Sequence, residues 1–266
     1  MEPNQGIIID SYHFYNLAKD AYYQAKQKPK IHRQNEAAIS VIFSALSLEA
    51  FINEFAAIAI LEKASGGGDK FLDKLIDAIE ESADRKKNTQ DKFMLASKAL
   101  NDKFDKGKNP YQDFADLFKL RDCLVHLKPH DRLKIEEDGT FSYLGRKFIK
   151  RLTSKNILRQ DTTVESITLL IASEDVAKWA CDTASAMVNA ILNKIAESKF
   201  SKDNPHLELY RQMFQSLEID EKKILEQEHQ SRQTAVSKIE QLRPRLLETY
   251  GEFPDCVELL QEDRSR

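Results

Sequence analysis

Glycine and proline are scarce in this chain, at 8 and 7 among 266 residues. Long helices therefore meet few interruptions, which tilts the reading towards an all-α protein. Cysteine is scarcer still. Cys123, Cys181 and Cys256 are far apart, odd in number and without metal-ligand spacing. They offer no disulfide framework, so a reducing compartment and a cytoplasmic location are expected. An excess of one charge is also missing. The formal net charge of -3 argues against a surface coated in positive charge for non-specific nucleic-acid binding, while leaving room for a local basic patch. Met1 to Asp10 holds no basic start followed by an apolar run, so no secretory signal is read there. The chain has no Gly-x-Gly-x-x-Gly, Walker loop, His-Glu-x-x-His or Gly-x-Ser-x-Gly, which removes the commonest dinucleotide, nucleotide, zinc-protease and serine-hydrolase readings. Gly66-Gly67-Gly68 follows a predicted helix, not a strand, and so does not read as a phosphate loop.

What is present is apolar material for a core, 41% of residues, and a well-charged surface, 31%. Helical spacing of Tyr12, Tyr15, Leu17, Ala18 and Tyr22 predicts a first helix from about Ser11, as its cap, to Gln27. A second, Gln34 to Lys63, is apolar on two faces and belongs in the middle of a bundle. Glu49, Asn53 and Glu54 interrupt its apolar run and argue against a membrane span. Ala37, Ser40, Ser44 and Ser47 form a stripe of small residues along which a neighbour can approach closely. Asp69 is read as the cap of a third helix through Ile79, and Ser82 to Gln90 as a polar loop. Phe93 to Phe104 is a further helix. Asn109 as cap and Pro110 at the first helical position open the next, which runs to about His126. Between Arg132 and Leu152 the period changes, and Asp138-Gly139 between alternating residues predicts a β-hairpin. A long apolar stripe from Ser173 to Ile195, including Trp179, completes the core. Two sparser C-terminal helices follow Pro205.

The short segment richest in chemistry is Arg121-Asp122-Cys123-Leu124-Val125-His126. An arginine fork fits phosphate oxygens, and an imidazole can take and return a proton near neutral pH. Together they suit activation of a ribose 2′-hydroxyl and stabilisation of the charge developing at phosphorus, with no metal required. Five helical steps place the two side chains about 140° apart. They converge only if the helix tightens or frays near Leu127-Lys128-Pro129, or if two copies meet across a symmetric interface. Lys119, Lys128, His130 and Arg132, with Lys134, surround the pair and are the expected RNA contacts.

Arg-Asp-x-x-x-His at the end of a bundle helix resembles the Arg-x4–6-His motif of HEPN-domain proteins, although Asp122 stands where Asn is the usual neighbour of the arginine. The resemblance spans about residues 11 to 199. It implies an all-α, HEPN-like helical bundle over 1–200, and does not explain the small hairpin insertion at about 132–149 or the helical extension over 201–266. It further implies a metal-independent endoribonuclease without a cofactor. Arg121 would bind the phosphate, His126 would be the general acid or base, and Asp122 would orient the site or simply face water. Members often form homodimers with composite sites, and many are toxins or defence effectors. RNA and a cognate antitoxin or other protein are the partners this implies, and a membrane is not.

Plainer readings stand beside these. A surface arginine and a helix-terminal histidine facing the macrodipole would give the same motif. Glu49 and Asn53, one turn apart, read first as a solvent stripe or an internal hydrogen-bonded pair, and second as a polar wall facing the motif. Arg146, Lys147, Lys150 and Arg151 read as a charged face beside the hairpin at least as well as a phosphate track. Cys123 reads as a small buried hydrophobe and Trp179 as core. The rival functions are a non-catalytic helical module for protein or RNA, and a regulatory partner that neutralises another protein.

Overall fold

The computed structural model describes residues 8–29, 33–66, 72–78, 88–100, 104–126, 133–135, 141–143, 147–158, 167–195, 200 and 204–220, with scattered helical positions from 222 to 238. The chain divides into two compact units, Met1–Leu217 and Glu218–Arg266. The first is mostly helical.

Helix α1 (Ser11–Gln27) buries Tyr15, Ala18, Tyr22 and Ala25, a 3-4-3 spacing that gives one continuous stripe. That stripe lies on α2 (Glu36–Ala64), and this is the most extensive helix pair in the fold. The small-residue stripe explains how closely they pack. Ser40, Ser44 and Ser47 are fully buried, and the Ser40 hydroxyl donates to the Ala18 carbonyl at 2.8 Å. Among the described residues α2 alone is long and apolar enough to cross a membrane, yet 56% of that window is buried against other helices. Its next most extensive partner is α7 (Glu174–Ile195), which also packs on α1. Gly66 closes the end of α2 with φ +86°, a conformation that costs a glycine nothing.

Ser11 does not cap α1. Asp10 occupies the cap position without a side-chain cap bond, and a carboxylate from α2 does the work. Glu54 Oε1 accepts from the backbone N–H of Asp10 at 2.7 Å and of Ser11 at 2.9 Å. Its Oε2 accepts from Ser11 Oγ at 2.5 Å and Tyr210 Oη at 2.7 Å. One buried acid thereby satisfies two backbone donors of a helix start and places a negative charge at its positive end.

Tyr210 belongs to α8 (Pro205–Met213), which Asn204 caps by accepting from the His206 N–H at 3.0 Å. The expected boundary near residue 200 therefore moves. Leu207, Tyr210, Phe214 and Leu217 are all part of the core. Tyr15 stacks on Phe214 with centroids 4.7 Å apart, and Ser185 and Asn189 donate to the Phe214 carbonyl, each at 2.8 Å. Burial, and then the bond to Glu54, raise the Tyr210 hydroxyl well above the ordinary tyrosine value of 10.0. A folded pKa above the unfolded one gives stability that is complete below that ordinary value and is lost as pH rises beyond it. Urea midpoints should therefore decline above about pH 10, and the decline should be shallower in Tyr210→Phe. An equal slope in both proteins would refute this linkage.

The remaining elements differ from expectation in detail. Thr89 and Gln90, expected in a loop, begin α3 (Thr89–Ala99), which Asn88 caps by accepting from the Asp91 N–H at 2.9 Å. α4 (Tyr111–Val125) starts one residue later than expected, with Pro110 itself at the cap. Strands β1 (Leu133–Ile135) and β2 (Phe141–Tyr143) pair antiparallel with Leu133 opposite Tyr143. The Asp138-Gly139 turn lies outside the described residues, as does the Asp69 cap. Helix α5 (Lys147–Ser154) begins where the hairpin region was expected to end. It and the short α6 (Ile167–Leu170) were not anticipated; α5 buries Phe148, Ile149 and Leu152. The second unit is helical at its described positions, where Thr234 donates to the Gln230 carbonyl at 2.9 Å.

Candidate functional site

Helix α4 owes its seat to Phe114, Leu117, Phe118 and Leu120, which turn one face into the core. The opposite constraint is charge. Asp116 is fully buried on this helix and bonds to Arg151 of α5, with Arg151 Nε at 3.0 Å and Nη2 closer still. Lys119 Nζ approaches the same carboxylate at 3.3 Å. Lys119, half exposed, and Arg151, from the expected basic cluster, both bond this buried acid, and neither lines the cleft at Arg121. Arg151 and Asp116 hold α5 against α4, and the guanidinium's pKa is raised by that hydrogen bond. Arg151→Ala should cost about 1–3 kcal/mol, because among the described residues the Asp116 carboxylate then keeps only Lys119. Chemical denaturation checks this, and an unchanged midpoint would refute it. Lys147 and Lys150 are exposed, while Arg146, Lys128, His130, Arg132 and Cys256 lie outside the described residues.

The last turn of α4 carries the motif. Arg121 is 20% exposed and turns towards α2. Its Nη2 lies 3.4 Å from Glu49 Oε2 and its Nη1 lies 3.2 Å from Asp122 Oδ1. The guanidinium carbon sits over the Phe118 ring, 5.3 Å from its centroid. Arg121 Nε is buried and has no hydrogen-bond partner among the described residues. The side chain is thus held from three sides with one donor unfilled. Asp122, half exposed, is an ion-pair partner of Arg121. Cys123 is partly buried beside the core.

Glu49 and Asn53 do not form a pair with each other. Glu49 reaches Arg121, and Asn53 Oδ1 accepts from Lys92 Nζ of α3 at 2.7 Å. The polar-wall reading, ranked second from sequence, describes their geometry better. A cleft of about 330 Å³ opens here, and Glu49, Lys92, Phe118, Arg121 and Asp122 help to line it. That is at the lower end of small-ligand site volumes. Lys92 was missed, because nothing in its local sequence distinguishes it from other exposed helical lysines. Phe118 was assigned to the core, and its ring also serves the arginine.

His126 behaves differently. The helix stays regular through Val125, and His126 is the C-terminal cap, with φ -123° and ψ 94°. Its N–H donates to the Asp122 carbonyl at 2.9 Å, but its side chain is exposed and does not line the cleft. No contact between His126 and Arg121 is present among the described residues, and Leu127-Lys128-Pro129 lies outside them. Val125 beside it is 50% exposed. Trp179 is buried as expected, though its indole N–H lacks a partner.

No protein-family model, curated protein or solved structure matches this chain.

Proposed function

We propose that this protein is a HEPN-like, metal-independent endoribonuclease that works as a homodimer. The observation that carries this reading is the arrangement at the end of α4. Arg121 is fixed at an open polar cleft, while His126, five residues on, is presented exposed at the helix end. Arg121 from one protomer would hold the scissile phosphate. His126 from its partner would take the proton of the 2′-hydroxyl, whose oxygen then attacks phosphorus. The bond to the 5′ oxygen breaks, that oxygen receives a proton, and a 2′,3′-cyclic phosphate remains. A two-fold axis near the end of α4 would remove the angular mismatch between the two side chains. Val125 would lie close to that axis.

The biological setting that goes with this reading is a cytoplasmic toxin or defence effector restrained by a cognate antitoxin. Purified protein should cut single-stranded RNA in EDTA and leave cyclic phosphate ends, and expression should arrest growth unless Arg121 is replaced by Ala. A broad RNA panel left uncut would overturn the nuclease reading.

A second reading, a non-catalytic helical module for RNA or protein, is favoured by one observation. Two carboxylates offset the Arg121 charge, so the arginine also has a purely structural use. The two readings part on cleavage.

A further inference from the structure

Lys92 and Arg121 come from different helices, α3 and α4, and line the same cleft. Their charges are treated differently. Arg121 faces two carboxylates, whereas Lys92 donates to the neutral amide oxygen of Asn53 and has no carboxylate partner among the described residues. The Glu49 contact to Arg121 is long for a charged hydrogen bond, at 3.4 Å. It comes from a side chain that is 46% exposed. It also leaves Arg121 Nε buried without an acceptor. A single carboxylate oxygen at that distance fills the guanidinium fork poorly. A phosphodiester, with two non-bridging oxygens and a full negative charge, can engage two of its donors at once.

We infer that Lys92 is the second phosphate-holding cation of the Arg121 cleft, and that Glu49 occupies the anion's place on Arg121 until an RNA phosphate displaces it. This rests on the reading that the cleft takes RNA, and it assigns roles to two residues outside the Arg–His motif. Phosphate binding then exchanges one acid for another at Arg121 and gives Lys92 an anionic partner, which it lacks among the described residues. Glu49 acts as a competitor that lowers affinity for weakly held anions.

The test is binding of a 2′-O-methyl RNA oligonucleotide, which cannot be cleaved through its 2′ oxygen, measured across a range of salt concentrations. In Lys92→Gln the slope of log affinity against log salt should fall by about one contact, and Lys92→Arg should restore it. Glu49→Gln should tighten binding by about two- to fivefold, the strength of one partly exposed ion pair. Both sites are partly exposed, and an unchanged thermal midpoint confirms folding. An unaltered slope in Lys92→Gln, weaker binding in Glu49→Gln, or no binding by the wild-type protein would each overturn the inference. Lys92-dependent binding to natural RNA that stays uncut would sink the nuclease reading and leave this one standing. Cleavage with an unaltered Lys92→Gln slope would do the reverse.

Discussion

Replacing His126 with alanine should lower RNA cleavage by about a hundred- to ten-thousand-fold, the usual worth of general acid–base catalysis, while leaving the thermal midpoint in place. The second half of that expectation follows from its position. The side chain is exposed at a helix end, and among the described residues the bond His126 makes is that of its backbone N–H to the Asp122 carbonyl. Arg121→Ala should be as inactive in cleavage. The two dead proteins together provide the sharper experiment. If each site takes Arg121 from one protomer and His126 from the other, a heterodimer of the two variants contains one wholly intact site and one empty of both groups. Random mixing makes half of all dimers heterodimers, so about a quarter of wild-type activity should return after subunit exchange. A site built within one chain cannot recover, and neither can a monomer. Activity that stays at the level of the single variants would therefore eliminate the composite site. Light scattering gives the supporting measurement, with a dimer expected.

The largest stability effect should come from Glu54→Ala. That side chain is 8% exposed and accepts from four donors: two backbone N–H groups at the start of α1, the Ser11 hydroxyl and the Tyr210 hydroxyl. Truncation strands three buried donors and the partly exposed Asp10 N–H, and removes the negative charge from the first turn of α1. Hydrogen bonds to a charged group contribute more than neutral ones, but losses within one network do not add. A cost of about 3–5 kcal/mol is expected, a large part of the stability of an ordinary domain. In a unit of this size each kcal/mol lowers the midpoint by about 2–4 °C, so the fall should be easy to see in a thermal scan. Tyr210→Phe deletes one donor of the same network and should cost only about 1 kcal/mol. A Glu54→Ala protein within 1 kcal/mol of wild type would show that water satisfies the stranded groups.

Glu54 also marks the division between what could be read along the chain and what could not. From sequence it was one of three polar residues arguing against a membrane helix. Nothing local indicated that the start of α1 and a tyrosine 156 positions away would supply its donors. Asp116 is similar: its sequence neighbours place it on an amphipathic helix, and only the packing of α5 reveals a buried charge with an arginine on it. The same packing gives Lys119 and Arg151 a shared carboxylate partner. Glu49 and Asn53 were noticed because they are polar in an apolar helix, but their partners, Arg121 and Lys92, come from helices distant in the chain.

Sequence alone determined the all-α class, the central place of α2, the burial of the Ser40–Ser44–Ser47 stripe and the motif at the end of α4. These are periodic or local properties, and a helical repeat expresses them within a few residues. It also supplied the constraint that Arg121 and His126 leave one helix in different directions. Tertiary structure decided the rest. It extended the bundle to Leu217 through Tyr210 and Phe214, turned Arg121 against Glu49, and brought Lys92 to the same cleft while leaving His126 outside it. Such juxtapositions depend on how separate helices cross, and helix crossing is set by the shapes of packed side chains over the whole core rather than by spacing along one segment.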